Sequence, residues 1–366
     1  MEYVQERVAT LHDFGDARPT APVDRATVVV PLMGRDHASL AAERVLSTLG
    51  DVNPGSVLVA LRTDPERVAD VREWVDSLAV DADLLWCNAP AVEDRLSDHG
   101  LAGPSGKGRD VWLALGVAAA RSEYVVVHDA DATTYGPEQV PRLCFPLAHE
   151  FSFVKGYYAR VENDRLYGRL CRLFYEPVVA ALDEAHDAAL VDYLGAFRYG
   201  LAGEFAATSD LARRLRPPRG WGLEIGTLGD AFAAAGFEGT AQVDLGVHEH
   251  DHRAVSGPQG LSDMAGEVAD ALFLALADAG VTVDYGSLRT RYRAVANRLV
   301  DQYAADATFN GLNYDPENER EQVENYADAV RPPTGDYRLP SWEETELTPE
   351  TVRAASSEAL ADATGE

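Results

Sequence analysis

Cysteine and lysine are scarce, and neither membrane-spanning runs nor nucleotide-loop spacings occur. The three cysteines, Cys87, Cys144 and Cys171, are an odd number at wide spacing. No Cys-x-x-Cys pair or Cys/His cluster of the kind zinc requires accompanies them, so neither a disulfide framework nor a zinc site is indicated, and Cys87 and Cys144 read as core residues. No apolar run approaches the ~20 residues a membrane helix needs, and no charged-then-apolar leader opens the chain. The Walker spacing Gly-x-x-x-x-Gly-Lys-[Ser/Thr] is missing, which disfavours P-loop phosphotransfer. Positive charge is also in deficit: 32 basic against 60 acidic residues leave a formal net charge of −28 over 366 residues. Spread along the chain, that charge repels nucleic acid and anionic membrane and excludes both as partners. An acidic surface with only two lysines suits a salt-rich cytoplasm, where excess carboxylates stay hydrated while salt screens their repulsion. The expectation is a soluble, cytoplasmic protein of halophilic type.

What is present begins with a rhythm. "ATVVVPL", "HASLAAERVLSTL", "SVLVALR", "PERVADVREWVDSL" and "DLLWCNAP" alternate strand-like and helix-like segments. This β-α-β-α-β order predicts a parallel sheet covered by helices. A helix over about 107–120 leads into "EYVVVHDAD", a fourth strand. A helix after Pro137, a strand in "FSFVKGYYARV", a long helix over about 166–183 and a strand in "TAQVDLGVHEHDH" follow. The stretch between the last two mixes turn glycines with short helices. Two helices near 261–278 and 287–306 have apolar faces for the sheet domain or for a partner subunit. The chain divides into an N-terminal extension (1–24), a catalytic domain (25–255, its halves meeting near 135), C-terminal helices (256–332) and a tail (333–366). Residues 341–366 hold seven acids against one arginine, which predicts a mobile tail.

Five places could do chemistry. Asp129 and Asp131 close a β-branched run where a buried strand should end, and such a pair is either a turn or a metal site. In an open α/β sheet it would lie on the ligand-binding edge. Lys107 stands in "GPSGKGRD", a glycine-rich turn opening a helix, where free amides and a positive dipole favour an anion. With arginine at every other basic position except Lys155, retention of a compact three-donor ammonium points to a geometric need. His248, His250 and His252 alternate in "HEHDH" and share one face if that segment is extended; they are metal ligands or incidental loop residues. Glu224 in "GWGLEIGTL" and Glu204 in "LAGEF" are either helix-start acids or site residues. Carboxylate oxygens, an imidazole and phosphate oxygens together would complete an octahedral Mg²⁺ or Mn²⁺ site.

These motifs occur in a telling order: GKG-x-x-x-W, DAD, FVKGYYAR, YGR, FRYGLAGEF, WGLEIG and QVDLGVHEHDH. The series resembles the glucosyl-3-phosphoglycerate synthases, retaining GT-A glycosyltransferases, over residues 25–255. The resemblance implies a Rossmann-like, mostly parallel mixed sheet with C-terminal helices. It also implies hexosyl transfer from a nucleoside-diphosphate sugar to 3-phosphoglycerate, Mg²⁺ or Mn²⁺ as cofactor, and a homodimer. Carried over by position, Asp129 and Asp131 are the DxD pair, with Asp131 and His250 ligands of the ion. Lys107 and Asp36 contact the nucleotide, and Glu224 the transferred sugar, with Glu224 and Asp129 as the catalytic carboxylates. Gly168 and Arg169 hold the acceptor's phosphate, and His252 faces the acceptor. Glu224 either orients the sugar for same-face attack or acts as nucleophile in a double displacement. The chain departs from the family pattern twice. "PLMGRD" leaves Asp36 as the only carboxylate after the first strand, and Gly168-Arg169 is followed by Leu170 and Cys171 where the family has a hydroxyl. Rival readings are another GT-A transferase with a different donor or acceptor, a sugar-nucleotide pyrophosphorylase and a non-catalytic sugar-nucleotide sensor.

Overall fold

In the computed structural model, which describes residues 6–13, 18–250 and 258–365, the β-branched runs form strands and the amphipathic runs form helices. The first half contains β1 (Ala9–Leu11), β2 (Ala26–Met33), α1 (Leu40–Val52), β3 (Ser56–Arg62), α2 (Val68–Ser77), β4 (Ala82–Trp86), α3 (Pro90–Asp98), α4 (Lys107–Ala119), β5 (Tyr124–Val127) and α5 (Gln139–Leu147). It continues with β6 (Phe153–Ala159), the hairpin β7 (Val161–Glu162) and β8 (Arg165–Leu166), α6 (Glu176–Asp183), α7 (Ala189–Leu194), β9 (Phe205–Thr208), α8 (Ser209–Arg214), α9 (Leu223–Ala235) and β10 (Thr240–Val247). Helices α10 (Pro258–Asp278), α11 (Tyr285–Phe309), α12 (Pro316–Ala327) and α13 (Pro349–Thr364) complete it.

Eight strands form one sheet in the order β1-β10-β6-β9-β5-β2-β3-β4. Strand β9 runs antiparallel to both neighbours and the other pairings are parallel. This is the mixed, mostly parallel sheet with helices on both faces that the sequence rhythm and the resemblance imply. Helices α1, α2 and α5 cover one face, and α4 with the C-terminal helices covers the other. From β2 the chain steps outward to β3 and β4, then returns to place β5 on the other side of β2. That reversal opens a crevice at the carboxyl ends of β2 and β5, where doubly wound sheets bind ligands.

Three expectations change. The stretch expected as turns and short helices contains β9, which inserts between β5 and β6. Its four residues, Phe205–Thr208, are too short to show a period, and three are alanine or threonine, in a segment preceded by the turn glycines Gly200 and Gly203. The long helix begins later than expected, because Gly168 takes φ +75 and breaks the chain before a π-helical turn over Cys171–Tyr175 that runs into α6. Such left-handed backbone costs little only for glycine.

The acidic tail is packed rather than mobile. Trp342 stacks on Trp112 of α4 with ring centroids 4.2 Å apart. Each indole nitrogen donates to the other arm, Trp112 Nε1 to the Pro340 carbonyl (2.8 Å) and Trp342 Nε1 to the Trp112 carbonyl (2.9 Å). Helix α13 buries Val352, Ala355 and Leu360, and the Ser356 hydroxyl accepts from the Trp86 amide at 2.7 Å. Full burial of a large aliphatic side chain stabilises by roughly 1.5–3 kcal/mol, so this apolar stripe outweighs the acidic outer face. Helices α10 and α11 pack on α9 and α6 of the same chain. No described helix is long and apolar enough to cross a membrane.

Candidate active site

The glycines around Lys107 bring two distant motifs together. A Cβ on Gly106 or Gly108 would collide with the backbone carbonyls of Arg219 and Pro218, so only glycine lets the start of α4 lie against the turn preceding α9. The Arg109 amide donates to the Arg219 carbonyl across this contact, at 3.0 Å. Lys107 at the head of α4 and Glu224 at the head of α9 therefore converge on Asp129 beyond β5. Lys107 Nζ lies 2.7 Å from Asp129 Oδ1, 2.9 Å from Oδ2 and 3.2 Å from Glu224 Oε1. Burial opposes the ammonium charge, but the two carboxylates outweigh it and hold the Lys107 pKa above its ordinary value.

The second convergence joins the DAD and HEH segments. Ala132 bridges His250 in antiparallel fashion, the Thr133 amide donates to the Glu249 carbonyl at 2.8 Å, and the Glu249 amide donates to Thr134 Oγ1 at 3.2 Å. One ligand atom each from Asp129, Asp131 and His250 then lie within 4.8 Å of one another. Oδ1 of Asp131 is buried without a hydrogen-bond partner, and His250 Nε2 is 3.8 Å from it. Burial and then the Asp129 charge push the Asp131 carboxyl up to about 7. Burial and then His248 lower His250 to about 2, which keeps the imidazole neutral. Two crowded carboxylates, an unpartnered oxygen and a neutral imidazole form the donor set that a divalent cation satisfies. His248 is buried behind this group, stacked on Tyr158 at 4.1 Å with its Nε2 3.0 Å from that of His250. It therefore sits where it can orient His250. His252 lies outside the described residues.

Two cavities meet at this centre and share Lys107, Asp129, Asp131 and Trp221. One, of about 450 Å³, runs over the ends of β2 and β3 past Leu32, Asp36, Arg62 and Ser105. The other, of about 500 Å³, contains Glu224, His250, Arg160, Arg165, Gly168 and Arg169. The sequence-identified residues that are described thus gather at one place, with Asp36 in the first cavity and Gly168 and Arg169 in the second. Trp221 was missed by sequence reasoning. It is 39% exposed, with its backbone amide held by Glu267 Oε2 at 2.7 Å. An aromatic beside Glu224 in "GWGLE" was the available signal. Lys155, the other lysine, is fully buried beneath the site and donates to the Ala202 carbonyl.

Glu204 lies in the wall behind Asp129, 1% exposed, with Oε2 unpartnered. Burial and then the Asp129 charge push its carboxyl up to about 8. A carboxyl raised on folding contributes stability that is complete below its unfolded pKa and is lost as pH rises through the folded value. For metal-free protein, the thermal midpoint of Glu204→Gln relative to wild type is therefore expected to increase between about pH 6 and about pH 8.5. A constant difference across that range would show that Glu204 is ionised in the fold.

A candidate cation site where two cavities meet at Lys107, at the switch point of a mixed α/β sheet, fits a metal-dependent enzyme acting on a sugar nucleotide. Comparison with known proteins narrows the class. The chain is 31% identical to glucosyl-3-phosphoglycerate synthase of Methanococcoides burtonii over 93% of both chains. It is 32% identical to the enzyme of the same name from Persephonella marina, over 83% of this chain and 80% of that one. The glucosyl-3-phosphoglycerate synthase of Mycobacterium tuberculosis, solved with Mn²⁺, UDP and phosphoglyceric acid, shares the fold. Its TM-score is 0.55 at 24% identity, over 76% of this chain and 88% of that one. No protein-family model matches. The chain belongs to the glucosyl-3-phosphoglycerate synthase family.

Proposed function

We propose that this protein transfers a glucosyl unit from UDP-glucose to C2–OH of 3-phosphoglycerate with retention, and that the residues gathered at the cavity junction carry the reaction. The observation that carries this reading is the Lys107 ammonium, placed between Asp129 and Glu224 where the two cavities meet. Asp131 and His250 would hold the ion, with Asp129 beside them. A divalent cation bound there would stabilise the charge developing on the departing nucleoside diphosphate. Lys107 donates to the same phosphate oxygens. Glu224 faces the sugar, and its pairing with Lys107 makes it a poor nucleophile, which supports the orienting role and same-face attack over double displacement. Asp36 and Arg62 line the nucleotide end of the first cavity. Gly168 and Arg169 receive the acceptor's phosphate in the second, with Arg160 and Arg165 adding positive charge.

The rival glycosyl chemistry loses support on a particular observation. A glycan acceptor would need an open groove where the second cavity is lined by arginines. A non-catalytic sensor could keep every one of these binding residues, and turnover is what excludes it. The reading extends to a salt-adapted cytoplasmic enzyme, from its acidic, lysine-poor composition, and to a homodimer, from the family resemblance; sedimentation in high salt tests the latter. The decisive experiment incubates the protein with mixed sugar nucleotides, Mg²⁺ and 3-phosphoglycerate and identifies the product. Glucosyl-3-phosphoglycerate is expected. Transfer only to another acceptor would sink the reading.

A further inference from the structure

Arg169 does not face the second cavity unaided. Its Nε donates to Glu319 Oε1 of α12 at 2.8 Å, across 150 residues of sequence, and Glu319 Oε2 accepts from Arg172 Nη1 at 3.0 Å. The Glu319 side chain is 5% exposed, whereas that of Arg169 is 37% exposed. Among the described residues, Nη1 and Nη2 of Arg169 have no hydrogen-bond partner, so the pair leaves the guanidinium's outer edge open. Arg172 extends the brace to the turn carrying Gly168, through Nε to the Tyr167 carbonyl (3.1 Å) and Nη2 to the Leu166 carbonyl (3.4 Å). Its guanidinium also lies over Tyr303 of α11, 5.1 Å from the ring centroid. The loop leading to α12 is tied to the same hairpin, where the Asn313 amide donates to the Asp164 carbonyl at 2.7 Å.

We propose that Glu319 is a positioning residue for acceptor recognition: by holding Arg169 through Nε and Arg172 through Nη1, it presents the free Nη edge of Arg169 to the acceptor's anionic group. The inference rests on the reading of the second cavity as the acceptor site. It makes α12, outside the motif-bearing region, part of that site. A planar guanidinium binds a tetrahedral anion through parallel N–H donors, so its orientation matters as much as its charge. A carboxylate that spans two arginines fixes that orientation, and glutamine cannot, because its amide nitrogen would face one of them.

The test is steady-state kinetics of Glu319→Gln and Glu319→Asp with 3-phosphoglycerate and with unphosphorylated glycerate, alongside thermal midpoints. The KM for 3-phosphoglycerate is expected to rise about tenfold in Glu319→Gln while kcat and the donor KM stay within about twofold. Glu319→Asp, which keeps the charge, should recover part of the loss, and it carries the test if the glutamine variant does not fold. Kinetics with glycerate should not respond to either change. A lowered KM would mean that Glu319 competes with the anion for Arg169, and would overturn the proposal. Equal rises for both acceptors, or a fall in thermal midpoint without a KM change, would leave Glu319 a purely structural residue and overturn it too. Wild-type protein that turns over without saturating in 3-phosphoglycerate would instead remove the acceptor reading itself.

Discussion

Asp131→Ala is expected to lower turnover about a thousandfold or more, and to abolish the part of UDP affinity that depends on Mn²⁺. Lewis-acid stabilisation of a departing phosphate is worth several kcal/mol, and each ~1.4 kcal/mol is a factor of ten. Asp131 has the freest ligand oxygen of the cluster, Oδ1 being buried and unpartnered, whereas Asp129 is already engaged by Lys107. Its loss should therefore cost more coordination than the loss of His250, for which His250→Ala should show the same defect in milder form. Calorimetric titration of UDP with and without Mn²⁺ separates the metal-dependent binding from the rest. Because metal ligands must be deprotonated and burial beside Asp129 raises Asp131 to about 7, Mn²⁺ affinity in the wild type should increase as pH rises through that value. Wild-type protein that binds UDP equally well in Mn²⁺ and in chelator would dismiss the cation site.

How much of this was legible in the sequence depended on whether the signal was local. Val28, Val29 and Val30, like Val125, Val126 and Val127, are fully buried and β-branched, and such runs read as central strands without a structure. The DAD pair stood out because strand ends in open α/β sheets are where ligands bind, and Lys107 because a lysine survived amid arginines. The histidine register is a finer case. Alternation put His248 and His250 on one face, and they do meet, but only the clamp of Thr133 and Thr134 on Glu249 carries that face to Asp131.

Other features were illegible for physical reasons. Acid content hid the apolar stripe Val352, Ala355 and Leu360, because composition averages over a helix whose two faces differ. Helix α12 was not read from the sequence and its role was not legible, although its start, with Asp315 accepting from the amides of Glu317 and Asn318 ahead of Pro316, is a cap-and-proline pattern that the sequence displays. The pairing of Glu319 with Arg169 is a tertiary contact with no local trace. The same holds for Trp221, whose position on both cavities follows from the contact of the two glycine-rich turns.

Lys107→Met should give the second large effect, a loss in kcat/KM of about a hundred- to a thousandfold, the usual cost of removing one donor aimed at developing negative charge. Methionine keeps the length and the apolar stem, so the change isolates the ammonium. Two consequences follow from the same geometry. Asp129 and Glu224, with side chains only 20% and 11% exposed, lose the cation between them, and an uncompensated pair of buried carboxylates should lower the thermal midpoint. The donor's diphosphate loses a partner that acts independently of the ion, so UDP should bind more weakly in chelator as well as in Mn²⁺, unlike the Asp131 variant. Lys107→Arg should restore charge without restoring full function, because a planar guanidinium fork does not reproduce the three-way donation of a compact ammonium to both Asp129 oxygens and Glu224 Oε1. The pH profile supplies a control. Asp129 and Glu224 hold the lysine's pKa above its ordinary value despite burial, so wild-type activity should not fall between about pH 7 and about pH 9 through loss of this proton. If Lys107→Met kept its kcat/KM and lost only thermal stability, the ammonium would be a counter-ion for Asp129 and Glu224, and the donor's phosphates would have to be held by the cation and the arginines of the first cavity alone.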